Sequence, residues 1–258
     1  MNPSENAPPR AIRTAIEQTF QNRRGDNLRY LLSERFAFLK AHVEKGQRVL
    51  EIGAGQGMIR DYLTDVDLVQ TDVHQASWID VSASGEQLPF ADNSFDAAIA
   101  IAALHHMNFP LQALRELSRV TRPGGKVLIL ESRNSWLMRR LLAARGHEYV
   151  DPSVDPFGSQ PCQRSRDNWD GNNALGDLIF GDRQKLKSAL PELEMIHHRH
   201  RECLLFVNSG GVNHRAPYIP LPRAALHSVA FMDNLLCTAA PGLFALVQEI
   251  ILRKSGQA

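Results

Sequence analysis

The sequence predicts one α/β domain with a doubly wound, mostly parallel sheet, and three observations carry that prediction. The apolar run Arg48–Ile52 turns through glycines at positions 53, 55 and 57 into a stretch where Met58, Ile59, Tyr62 and Leu63 keep helical spacing. Short apolar runs at 68–71, 97–102 and 126–131 then alternate with segments of helical periodicity, the pattern of parallel strands joined by crossover helices. The chain has 258 residues, enough for one large domain with a full core.

Composition excludes several classes. Basic and acidic side chains nearly balance, 29 against 28, so no net field favours nucleic acid or an anionic membrane. Cys162, Cys203 and Cys237 form no C-x-x-C pair and are odd in number, which reads as reduced, packing thiols of a cytoplasmic protein. No apolar run approaches the ~20 residues that span a bilayer, so no integral membrane segment is expected. Residues 1–10, with three prolines and no apolar core, read as a disordered leader, and residues 11–258 as the single domain.

Residues 11–21 and 27–43 have helical patterns, broken by Arg23-Arg24-Gly25-Asp26. In the second, Leu28, Leu31, Leu32, Phe36 and Leu39 make one apolar stripe. The glycine turn follows. A strand that bends into a helix through glycines brings bare backbone N–H groups close to a ligand, where side chains would block the approach. A dinucleotide fingerprint would need G-x-G-x-x-G, but Met58 follows Gly57, and a Walker loop would need a Gly-Lys-Ser/Thr that is absent. Glu51 puts a carboxylate at the strand's end, which suits a cation better than a phosphate. Together these residues resemble motif I of the class I S-adenosylmethionine-dependent methyltransferases. The resemblance implies a Rossmann-like sheet of seven strands, a loop that contacts the methionine part of the cofactor, and Glu51 serving its amino group. It also implies that the helices of residues 11–45 cap the cleft; covering the sheet edge is the other reading.

The next strand ends at Asp72, about 20 residues past the glycine turn, where a carboxylate can take both hydroxyls of a ribose. Leu88-Pro89-Phe90-Ala91-Asp92-Asn93-Ser94-Phe95-Asp96, before the strand at 97–102, is similar to the signature of the type 11 subgroup of these methyltransferases. That subgroup usually has an aspartate four residues before the leucine, holding the adenine amino group. This chain has Ser84, whose hydroxyl accepts one hydrogen bond, and Asp80 is the nearest acidic alternative. The resemblance thus implies S-adenosylmethionine as cofactor, held by Glu51, Gly53, Ala54, Gly55, Gly57, Asp72, Val73, Ser84, Gly85 and Ala102.

Leu104-His105-His106-Met107 is again typical of the subgroup, where this loop faces cofactor and acceptor. An imidazole takes a proton at neutral pH, so His106, and then His105, are candidate catalytic bases. The other reading is a helix cap or a backbone bond in the core. Residues 111–120 form an amphipathic helix, stopped by Thr121-Arg122-Pro123-Gly124-Gly125 before the strand at 126–131. Glu131 ends that strand at the face where open α/β sheets bind ligands.

Residues 133–184 read as a loop-rich insertion on the substrate side, with a helix at 136–144 followed by sequence that Pro152, Pro156 and Pro161 keep irregular. From it His147, Glu148, Asp151, Asp155, Trp169 and Asn173 could meet an acceptor. Asn173-Ala174-Leu175-Gly176 and Ser209-Gly210-Gly211-Val212 resemble an uncharacterised bacterial branch of the subgroup. Beyond lie a helix at 183–190, a strand within 193–206, a helix at 222–239 and a last, antiparallel strand within 244–252. A C-terminal helix is its rival, because Leu243, Leu246, Val247, Ile250 and Ile251 also keep helical spacing. His198 and His200 share a strand face but lack a third ligand at metal spacing, so no metal centre is expected.

The expected reaction is methyl transfer to a small-molecule or glycan/lipid-linked acceptor, at oxygen first and at nitrogen or carbon next. A second copy of the chain, giving a homodimer, is the protein partner considered. A cofactor-binding protein without turnover stays open through Ser84. A nicotinamide-dependent oxidoreductase is opposed by Met58 and by the Leu-Pro-Phe signature.

Overall fold

Seven strands form one sheet in the order β3-β2-β1-β4-β5-β7-β6. They are β1 Arg48–Ile52, β2 Asp67–Asp72, β3 Val81–Ser82, β4 Phe95–Ile101, β5 Thr121–Ser132, β6 Leu193–Arg201 and β7 Val247–Lys254. The structure, a computed structural model, describes residues 25–145, 148–164, 170–212 and 216–256. The leader, the helix expected at 11–21, His147 and Trp169 lie outside the described residues.

The first five strands pair in parallel, and β7 runs antiparallel between β5 and β6. The C-terminal segment is therefore a strand and not the rival helix. Its side chains decide this. Ile250 and Leu252 enter one apolar cluster and Ile251 the other, which requires alternation across a sheet. The same alternation divides the central strands. Leu50, Ile52, Ala98, Ala100, Val127 and Ile129 pack on helices α2 (Pro110–Val120), α4 (Leu175–Phe180) and α5 (Arg183–Ala189). Val49, Ala97, Ile99 and Leu128 pack on α1 (Asp26–Lys40), α6 (Leu204–Val207) and α7 (Arg223–Ala239). Helices on both faces of a parallel sheet make the domain doubly wound. Between β5 and α4 lies α3, Trp136–Arg145.

Two expectations need correcting. The helix expected from Met58 is a single 3₁₀ turn, Met58–Asp61. The stretch between β1 and β2 must hold the glycine turn and the return to the sheet, which leaves room for one turn only. Its apolar residues still bury the expected face, Ile59 and Leu63 being enclosed beside α1. Residues 121–125 do not separate α2 from the strand but belong to β5, which pairs with β4 through a register shift between Phe95 and Ala97. Gly125 is needed there, since a Cβ would lie 2.6 Å from the Asp96 carbonyl oxygen.

Candidate active site

The strand order reverses between β1 and β4, and a cavity of about 610 Å³ opens at the carboxyl ends of these strands and β2. That is the place, and the size, of a ligand site in an open α/β sheet. Of the residues expected to hold a cofactor, Glu51, Gly53, Ala54, Gly55, Asp72, Val73, Ser84, Gly85 and Ala102 line it. Gly57 does not.

The glycine turn explains the difference. Gly53, Gly55 and Gly57 all have φ between +50° and +65°, where L side chains are strained. A Cβ on Gly53 would lie 2.7 Å from that of Ala103, and one on Gly57 2.6 Å from Trp78 Cδ1. Those two serve packing, and Gly55 is the one with open space beside it. The sequence predicts bare backbone N–H groups here, and three of them are instead bonded within the fold. Ala54 N–H donates to the Thr71 carbonyl at 3.0 Å, Gly57 N–H to the Ala54 carbonyl at 2.8 Å, and Gly55 N–H to Asp72 Oδ2 at 2.8 Å. At these three positions the turn supplies close approach rather than free donors. Ala102, also on the cavity wall, holds φ +47°, a conformation that non-glycine residues adopt at a cost of order 1–3 kcal/mol and that clusters at functional sites.

Glu51 is buried and accepts a hydrogen bond from Gln70 Nε2 at 2.7 Å. Gln70 Oε1 in turn accepts from Arg60 Nε at 2.8 Å, and Arg60 pairs with Asp80 at 2.5 Å. Burial dominates this carboxyl and raises its pKa to about 8, with the nearby Asp72 adding to the rise and Gln70 opposing it. Asp80 lies at the outer end of this chain, also taking Gln70 N–H at 2.8 Å, and does not reach the cavity. Ser84 does, and its Oγ accepts Glu86 N–H at 3.2 Å.

At the other end of the cavity stand His105, His106 and Glu148. His105 Nδ1 is in close contact with Glu131 Oε1. Glu131 also accepts N–H groups from Leu104 at 3.0 Å, His105 at 3.3 Å and Ser132 at 2.7 Å. Burial alone would lower the His105 pKa, but the Glu131 carboxylate outweighs it and raises the value. Glu131 is thus a positioning residue that fixes the His105 ring. Burial and the charge of His105 push His106 down to about 4. Glu148 takes a hydrogen bond from Asn173 Nδ2 at 2.8 Å. Gly171, which no local pattern singles out, backs both rings: a Cβ there would lie 2.6 Å from His105 Cδ2 and 2.9 Å from His106 Cε1. Met138, Leu141 and Leu142 of α3, with Phe206 and Leu246, give this end an apolar wall.

Other candidates fall outside. Asp151 turns back to Ser153, and Asp155 pairs with Lys185. The rings of His198 and His200 lie 5.0 Å apart on β6, tilted by 57°, with His198 Nε2 and Gln248 Oε1 2.8 Å apart.

A family profile described as "Methyltransferase domain" matches residues 50–129. A demethylmenaquinone methyltransferase from Renibacterium salmoninarum is 34% identical over 163 residues, 52% of this chain and 69% of that relative. The chain belongs to the class I S-adenosylmethionine-dependent methyltransferases. A ubiquinone/menaquinone biosynthesis C-methyltransferase UbiE from Hahella chejuensis is also 34% identical, over 39% of this chain and 49% of the relative, so the chain spans about half of that protein. A solved S-adenosylmethionine-dependent methyltransferase from Thermotoga maritima shares the fold, with a TM-score of 0.53 and 17% identity over 95% of this chain and 97% of its own. The methyltransferase cofactor is S-adenosylmethionine, and the buried carboxyl of Glu51 with the open approach over Gly55 fits it. None of these methyltransferases supports the expected oxygen acceptor. Among the described residues no helix is long and apolar enough to cross a membrane.

Proposed function

We propose that the protein methylates a largely apolar, hydroxylated ring, with the cofactor over Glu51 to Asp72 and the acceptor against His106, Glu148 and α3. The observation that carries this reading is one cavity with two carboxylates of β1 and β2 at one end and a histidine pair within an apolar wall at the other. Bound S-adenosylmethionine supplies a methyl group on an already activated sulfonium. The protein's share is alignment and exclusion of water. Glu51 meets the ammonium of the methionine end, Asp72 the ribose hydroxyls, and Ser84 with Gly85 the adenine side. The names of the relatives above favour carbon as the acceptor atom. A ring hydroxyl that loses its proton feeds electron density to the adjacent ring carbon, which gains the methyl and then gives up its own proton.

His105 is committed to Glu131, so His106 is the candidate proton acceptor. With its pKa held near 4 it is neutral at pH 7, yet far below a phenol-like hydroxyl at about 10, and a weak match for it. Calorimetry with S-adenosylhomocysteine and with a nicotinamide cofactor tests the cofactor half. Binding of the first alone is expected, and binding of the second alone would overturn the reading. Turnover with a deuterated-methyl donor and hydroxylated naphthalenes should give a C-methyl product; an O-methyl product would sink the carbon assignment.

Glu51 also makes cofactor affinity pH-dependent. Its carboxyl is mostly protonated at pH 7 in the unliganded protein, and an incoming ammonium favours the anion. Affinity is therefore expected to rise from pH 6 to about 8 and then level off, with close to one proton released per S-adenosylhomocysteine bound at pH 7. Calorimetry in two buffers of different ionisation heat measures that proton. A flat profile, or the same release in Glu51→Gln, would remove the assignment.

A further inference from the structure

We propose that His105, His106 and Glu148 bind a divalent transition-metal ion, and that this ion takes the hydroxyl oxygen of the acceptor. The second half rests on the acceptor reading above; the metal site does not.

The donors come first. One ring nitrogen from each histidine and one carboxylate oxygen of Glu148 lie within 4.8 Å of one another. Ligands at ~2.0–2.2 Å from a common ion sit ~3.4 Å apart, so side-chain rotations of about an ångström close the set. Two imidazoles and a carboxylate suit zinc or ferrous iron, and three protein ligands leave further positions open. Because all three side chains line the cavity, those positions face the space in which the acceptor stands.

The surroundings are those of ligands already oriented. Glu131 occupies His105 Nδ1 and leaves Nε2 to coordinate, the carboxylate–histidine arrangement that fixes a metal-bound ring. Asn173 holds one oxygen of Glu148. His106 Nδ1 is buried and has no hydrogen-bond partner among the described residues, an orphaned polar atom of the kind that calls for an unseen one. Gly171 leaves room for both rings side by side, their centroids 4.1 Å apart. Among the described residues His198 and His200 have no such third donor.

With His106 as a ligand, the ion rather than an imidazole would activate the hydroxyl. An ion bonded to the hydroxyl oxygen lowers its pKa by several units, the O–H bond breaks, and the proton leaves to solvent. No electron is transferred. The oxygen then stays on the metal, which leaves the neighbouring ring carbon as the nucleophile.

The test uses the full chain without a histidine tag, stripped with a chelator. Titration with Zn²⁺ by calorimetry is expected to show one ion per chain, and Co²⁺ should give visible bands typical of a low-coordinate nitrogen–oxygen site. Glu148→Gln and Gly171→Ala should each weaken Zn²⁺ at least tenfold, while His200→Ala leaves the stoichiometry at one. No stoichiometric binding overturns the site, and so does binding that Glu148→Gln leaves unchanged but His200→Ala removes. S-adenosylhomocysteine affinity in the same samples reports separately on the methyl-transfer reading, and its loss would not touch the metal result.

Discussion

Replacing Arg35 by methionine is expected to destabilise the protein by about 3–5 kcal/mol, one of the largest single effects in the fold. Arg35 Nε and Nη2 donate to Glu202 Oε1 and Oε2 at 2.9 and 2.6 Å, and both side chains are buried. The substitution leaves the Glu202 carboxylate enclosed without its cation. That residue also holds a left-handed backbone, φ +60°, just after β6, where the next three N–H groups bond to Asp233. Breaking the pair therefore loosens the junction of α1, α6 and α7. Urea unfolding measures the loss, and the double variant Arg35→Met/Glu202→Gln should recover part of it. A change below about 1 kcal/mol would show the pair to be dispensable.

Asp72→Ala is expected to weaken S-adenosylhomocysteine binding at least tenfold, and about a hundredfold if both ribose hydroxyls depend on it. Hydrogen bonds to a charged group contribute ~1.5–3 kcal/mol each, and 1.4 kcal/mol is a factor of ten. Asp72 Oδ2 accepts Gly55 N–H and Oδ1 accepts His74 N–H, both at 2.8 Å. Each oxygen keeps a lone pair for the ligand. The alanine variant also frees the glycine turn from β2, so both the contact and its support are lost. Calorimetry gives the answer, and an unchanged affinity would withdraw the ribose role.

Much of this was legible in the sequence wherever one strand or one turn carried the signal. The alternating burial of β1, β4 and β5, the carboxylates at the ends of β1 and β2, and the place of the histidine pair all follow from short runs of residues. What escaped depends on partners distant in the chain. Arg35 falls on the stripe of Leu28, Leu31, Phe36 and Leu39, and nothing local shows that a buried cation belongs there, because Glu202 comes from beyond β6. Local sequence does not separate Asp80 from Ser84, because the ion pair of Asp80 with Arg60 spans 20 residues. Gly57 has the spacing of a ligand glycine but answers to Trp78. The helical pattern after it matches the buried face of the element and not its length, since spacing reports which side is apolar and not how many turns the connection holds.

That short connection has a consequence for selectivity among nucleotides. A long helix starting behind a glycine turn would place about half a positive charge there, the usual attraction for a pyrophosphate. One 3₁₀ turn offers almost none, and the Asp72 carboxylate already occupies the Gly55 N–H of that turn. A pyrophosphate therefore finds no long-helix dipole behind this turn to hold it.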